Sequence, residues 1–194
     1  MIKNGVVFFV EGETEVEFYK KLIKYLHDKY GNFQVDKVQV ENLKGIGNYK
    51  NRVIRIFDKR ILQKYSGYTF VVVLCYDTDV FEYEECPQIN WKEIELELKK
   101  SGAKTVIHVK AKKSIEDWFL KDEANLKKFL NISKNTKIKG QSGQEKIKDL
   151  FRKANKTYVK GQKCEGLIDA LDMEKILTDI PEELNKVYKI LGIK

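Results

Sequence analysis

The chain has 194 residues, 42% hydrophobic and 11% aromatic, which is enough apolar material for one substantial core and too much for a disordered or fibrous protein. No apolar run approaches bilayer length, and the opening MIKNGVVFFVEGETE meets acidic residues before any cleavage-site pattern, so a non-membrane, unexported, cytoplasmic protein is expected. Lys and Arg number 37 against 29 Asp and Glu, and the resulting net charge of +8 suits a phosphate-bearing polymer as partner, or simply a lysine-rich surface.

Residues 6–10 form a β-branched and aromatic run that stops at Glu11-Gly12, as a buried strand entering a tight turn does. A helix is predicted to follow at once. Thr14 and Glu17 have the spacing of a capping box, and Val16, Tyr19, Ile23, Leu26 and Tyr30 recur at helical intervals. Alternation over 35–40 predicts a second strand, LKGIGNYKN a glycine-bearing loop, and Val53, Ile56, Phe57, Ile61 and Tyr65 a second helix. The run TFVVVLCY is apolar on both faces, like the middle of a covered parallel sheet, and ends at Asp77. A helix over 91–100 and a strand over 104–109 then lead into KAKKSIEDWFL.

Strands alternating with helices imply right-handed crossovers and an α/β fold with an open, mostly parallel sheet, whose ligands lie beyond the carboxyl ends of the strands. After residue 120 the pattern turns helical, over 124–130, 144–154 and 181–191, with KTYVKGQKCEGLIDALD expected to hold a short strand and a further helix. The predicted organisation is an α/β domain over 1–120 and a mainly helical extension over 121–194 packed on the same core.

Glu11 and Asp77 both fall at predicted strand ends. Glu11 is followed by a glycine that adds no bulk beside it, and Asp79 shares a face with Asp77 in extended chain. Three carboxylates in one place would repel one another unless a cation joined them, and oxygen-only ligands suit Mg²⁺ or Mn²⁺.

The segments FFVEGETE and VVVLCYDTDVF resemble the Toprim pattern of an E-G turn after the first strand and a D-x-D motif after a later one, across roughly the first 120 residues. In the topoisomerase and primase branches the second motif runs on to a glycine, whereas Asp79 is followed here by Val80-Phe81-Glu82. The E-G-x-T-E form and SIEDWFL are instead similar to OLD-type and RloB-like Toprim proteins, and by that match Glu116 becomes a fourth acidic candidate. The resemblance implies a nuclease dependent on Mg²⁺ or Mn²⁺ that cleaves DNA or RNA, in anti-phage defence or nucleic-acid processing. It gives Glu11 the role of metal ligand or general base, Asp77 and Asp79 that of ligands, and Glu116 the completion of a second ion's shell. It also implies a downstream catalytic lysine, for which Lys160 and Lys163 in YVKGQK are the candidates, and it leaves room for a separate ATPase partner. Two alternatives remain open: a Toprim module that binds nucleic acid or a partner without cutting, and another metal-dependent phosphotransfer enzyme.

Other features have plainer readings. Glu13, Glu15 and Glu17 are expected to be first-turn acids that complement a helix dipole, and Glu116 and Asp117 have that option too, on a helix begun by Ser114. A D-x-D pair also occurs in haloacid-dehalogenase-like phosphatases, but those want a threonine where Phe81 stands. His27 and His108 have no second ligand at metal spacing, and Cys75, Cys86 and Cys164 show no C-x-x-C pattern, so neither a zinc site nor a disulfide framework is expected. Gly45 and Gly47 lack the G-K-[ST] of a phosphate loop. Their loop still offers Lys44 and Lys50 to a nucleic-acid phosphate, as Lys110, Lys112 and Lys113 are offered beside Glu116.

Overall fold

The computed structural model describes residues 2–81 and 88–193, so Cys86 and Glu82 lie outside the described residues. Four strands, β1 (Lys3–Val10), β2 (Lys37–Asn42), β3 (Tyr68–Asp77) and β4 (Thr105–Ala111), lie parallel in the order β2-β1-β3-β4. The two most apolar runs become the two central strands, where both faces are covered; Val6 to Val10 are completely buried. The fold is an α/β sheet flanked by helices, as the alternation predicts, and every strand pairing is parallel.

Because successive strand residues point to opposite faces, the sheet has two cores. Val6, Phe8 and Val10 of β1, with Val73 and Cys75 of β3, pack beneath α1 (Glu13–Tyr30). Val7 and Phe9, with Val72, Leu74 and Tyr76, pack beneath α2 (Tyr49–Ile56) and α3 (Trp91–Lys100). The second predicted helix continues past α2 as a π-helical stretch over Phe57–Leu62, which carries Phe57 and Ile61 into that core. His108 bridges Tyr76 and Glu95, through ring-nitrogen contacts of 3.1 and 2.9 Å, consistent with a packing role.

The C-terminal third is helical: α4 (Ile115–Phe119), α5 (Glu123–Phe129), α6 (Gly143–Lys153), α7 (Leu167–Ala170), α8 (Met173–Asp179) and α9 (Pro181–Leu191). Ile147, Leu150, Leu167, Ile176, Leu184 and Leu191 join the core that contains β1 and α1, so this region and the sheet share one interior. Ser114 starts α4 with a capping box to Asp117, as expected.

Two local expectations need correction. Gly12, not Thr14, is the N-cap of α1, and the Thr14 hydroxyl donates instead to the carbonyl of Gln162 at 2.7 Å. A tertiary contact has taken the side chain that the capping pattern reserved. No strand forms between residues 157 and 172; that segment crosses the N-terminus of α1 as an irregular strap and then enters α7. Among the described residues no helix is long and apolar enough to cross a membrane.

Candidate functional site

Strands β1 and β3 are hydrogen-bonded neighbours, with Phe9 beside Leu74, so the residues that leave their carboxyl ends emerge together. The buried Tyr49 hydroxyl helps fix those ends, lying between the carbonyls of Phe9 and Cys75. Glu11 leaves β1 and accepts a hydrogen bond from the Asp77 N–H at 3.0 Å. Asp77, 2% exposed, ends β3, and its Oδ1 accepts from the Ile115 N–H at 2.9 Å.

Asp79 reaches the same place by a route the strand pattern does not predict. Extended geometry stops at Asp77, and Asp79 opens a 3₁₀ turn over Asp79–Phe81. The turn is tied to the loop after β4: the N–H groups of Thr78 and Asp79 donate to the Lys113 carbonyl at 2.8 and 2.9 Å, and the Lys113 N–H donates to Thr78 Oγ1 at 2.8 Å. Lys113 takes the left-handed backbone needed to close this exchange.

Glu116, in the first turn of α4, is 1% exposed and accepts a 2.9 Å hydrogen bond from the Tyr158 hydroxyl. Two residues beyond Tyr158, the Lys160 ammonium lies 2.8 Å from Asp77 Oδ2 and 3.4 Å from Asp79 Oδ2. The strap that carries both is held to α1, since the Glu13 N–H donates to the Gly161 carbonyl at 2.8 Å and Thr14 to Gln162. Gly12 permits this approach: a Cβ there would stand 2.6 Å from Gly161 Cα. The glycine after Glu11 therefore makes room for the strap as well as for the carboxylate.

The structure brings Glu11, Asp77, Asp79, Glu116 and Lys160 together. Lys163 stands apart from them. Its ammonium is 3.3 Å from Glu17, with most of the side chain in solvent. Two members are not anticipated from sequence. Glu15 is a first-turn acid of α1, as expected, but it is also buried, and it heads a stripe through Tyr19, Leu22 and Leu26, all buried on one helix face. That i, i+4, i+7, i+11 spacing is the signal that marks it. Tyr158 gives no local signal, because its value lies in a partner far along the chain.

Burial pushes the Glu11 carboxyl up to about 7; the Asp77 N–H and Lys160 oppose this, and Asp79 and Glu116 add to it. Glu15 also rises to about 7, chiefly through burial and then through the charge of Glu11. Burial raises Asp77 as well, against the pull of Lys160. For Lys160 burial works toward the neutral amine, but the carboxylates of Asp77, Glu116 and Asp79 outweigh it and the ammonium is held charged. Lys160 thus sets a single positive charge against a cluster of carboxyl groups.

The chemistry of this donor set suits a hard cation. Glu15 Oε2, Asp79 Oδ1 and Glu116 Oε2 are buried without a hydrogen-bond partner, and Asp77 Oδ2 has only its ion pair with Lys160. Unpartnered buried carboxylate oxygens are costly, and they are the ligand type that Mg²⁺ and Mn²⁺ prefer. The geometry is not that of a closed metal site. Among the described residues no three His, Cys, Asp or Glu side chains stand in an ion-holding arrangement, and the Lys160 ammonium takes up the space between Asp77 and Asp79.

A cleft of about 720 Å³ opens beside the cluster, with Glu11, Glu15 and Lys160 on one wall and Asn42 and Lys44 on another. Comparison of the chain with protein families, with curated proteins and with solved structures gave no match.

Proposed function

We propose that the chain is a Toprim-type nuclease, similar to the OLD and RloB-like branch, that uses a hard divalent cation at this acidic cluster to cleave nucleic-acid phosphodiesters. The observation that carries the reading is the convergence on Lys160 of Asp77 at the end of β3, Asp79 in the turn that follows and Glu116 in the first turn of α4, each acid keeping a buried oxygen without a hydrogen bond. Leaving such an oxygen unpaired costs about 1–3 kcal/mol, so a cluster of them is better explained by a ligand than by stability.

Asp77, Asp79 and Glu116 would hold the ion once the Lys160 ammonium is displaced from between the two aspartates, with Glu11 as a further ligand or as general base. When bound, the ion supplies Lewis-acid polarisation of the phosphate and an acidified water. The displaced Lys160 would then offer its positive charge to the phosphate oxygen on which negative charge develops. Tyr158 orients Glu116 through its hydrogen bond. Lys163, paired with Glu17 at the cleft's mouth, is read as a surface cation.

The test is incubation of the purified protein with single- and double-stranded DNA and with RNA, in Mg²⁺ or Mn²⁺, beside Asp77→Ala. Cleavage by the wild type alone is expected; equal cleavage by both proteins, or by neither, contradicts the proposal. A second reading, a module that binds nucleic acid without cutting, is favoured by the Lys160 ammonium filling the space between the two aspartates. Retained binding with no cleavage in any metal would select it.

A further inference from the structure

A second cleft, of about 550 Å³, adjoins the first, and Asn42 and Lys44 line both. Its walls are basic. Arg52, Arg55 and Lys59 follow one another at helical intervals of three and four along α2 and its continuation, so they share one face, with Arg60 beside them. Glu41 answers Arg60 and Asp58 answers Lys59, but among the described residues Lys44, Arg52 and Arg55 have no ion-pair partner. Arg52 Nε is moreover buried without a hydrogen-bond acceptor, which points to an external one.

We infer that the two clefts form one track, along which a nucleic-acid strand runs from the acidic cluster past Lys44 and over Arg52, Arg55 and Lys59. The inference rests on the nuclease reading for what happens at the cluster, but the track is a binding surface in its own right. At 1.5 Å per residue, positions 52 to 59 cover about 10 Å of helix, long enough to meet more than one backbone phosphate of a strand. Arginine suits this role because its planar fork can pair two phosphate oxygens at once. The contacts reach the backbone and carry no base sequence, so the track selects a polyanion of regular spacing without selecting its sequence.

The experiment measures binding of a fluorescent oligothymidylate of about 20 nucleotides to the full chain in EDTA, between about 50 and 200 mM salt. Three variants accompany the wild type: R52Q/R55Q, the charge-preserving R52K/R55K, and K99Q/K100Q at the far end of α3 as a control for net charge. The salt slope of log K is expected to shrink by about 1.4 in R52Q/R55Q, about 0.7 for each lost phosphate contact, with at least a tenfold loss of affinity at the lowest salt. R52K/R55K should restore most of the slope, which a merely structural role for the arginines would not require. An unchanged slope in R52Q/R55Q, an equal loss in K99Q/K100Q, or equally strong competition by polyglutamate of matched charge would overturn the track. The nuclease reading fails separately: oligonucleotide bound through the arginines but never cleaved in Mg²⁺ or Mn²⁺ leaves the track standing, and cleavage with an unchanged slope does the reverse.

Discussion

Glu15 shows what the cluster costs the protein that carries it. Its carboxyl is held near 7 rather than the ordinary 4.5, chiefly by burial, so between those pH values the folded chain keeps a proton that the unfolded chain has released. Stability from this group is fully present below about 4.5, falls as pH rises through the window, and levels off above about 7. A tenfold change in proton affinity corresponds to about 1.4 kcal/mol, so the loss across the window is on the order of 3 kcal/mol, and the coupled titration of Glu11 shares in it. Urea melts without divalent cation should therefore show stability declining from pH 4.5 to 7, and Glu15→Gln should flatten that decline by about half or more. A pH profile identical to wild type would show that Glu15 does not titrate in this window.

At the scale of elements, the site is a product of two strand ends, one short helix and one strap. The first three are legible in sequence because they are local: apolar runs that stop at Glu11 and Asp77, and a Ser114 cap that starts α4. The strap is not legible from local pattern, and Lys160 is singled out only through the family resemblance. Its anchor, Thr14 to Gln162, joins residues 148 apart, and YVKGQK has no periodicity that would reveal Tyr158 beneath Glu116 or Lys160 between two aspartates. The D-x-D spacing puts Asp79 in the cluster for a reason that does not hold, since a turn braced by Lys113 delivers it instead of an extended strand. Gly12 is the hinge between the readable and unreadable parts. Gly12→Ala would drive a methyl group into the Gly161 backbone and should cost about 1–3 kcal/mol in thermal or urea unfolding, with Tyr158 becoming more exposed to solvent quenchers. Unchanged stability together with an unchanged Tyr158 environment would mean that the strap is held by other contacts.

At the scale of the whole molecule, the sheet has two faces but the chain covers them unequally. The face beneath α2 and α3 is closed by residues up to Val106, whereas the face beneath α1 is completed by Ile147, Leu150, Leu167, Ile176, Leu184 and Leu191. The division at residue 120 is therefore one of pattern, and both parts contribute to the same interior. A fragment of residues 1–120 should lack a cooperative urea transition, while the full chain should unfold in a single step. Cooperative folding of the fragment would show that the C-terminal helices are dispensable. The same geometry explains why the strap can serve the site: its two ends are fixed by helices rooted in the core it crosses.

The central claim is that the acids at the ends of β1 and β3 form a cation site, and Mn²⁺ binding tests it without reference to any substrate. Loss of the free-ion electron paramagnetic resonance signal should be followed at about pH 8, above the values near 7 to which burial moves Glu11 and Glu15. Saturable Mn²⁺ binding by the wild type, competed by Mg²⁺ and abolished in a folded Asp77→Asn variant, is the predicted result. Absence of saturable binding, or equal binding by the variant, would contradict the claim.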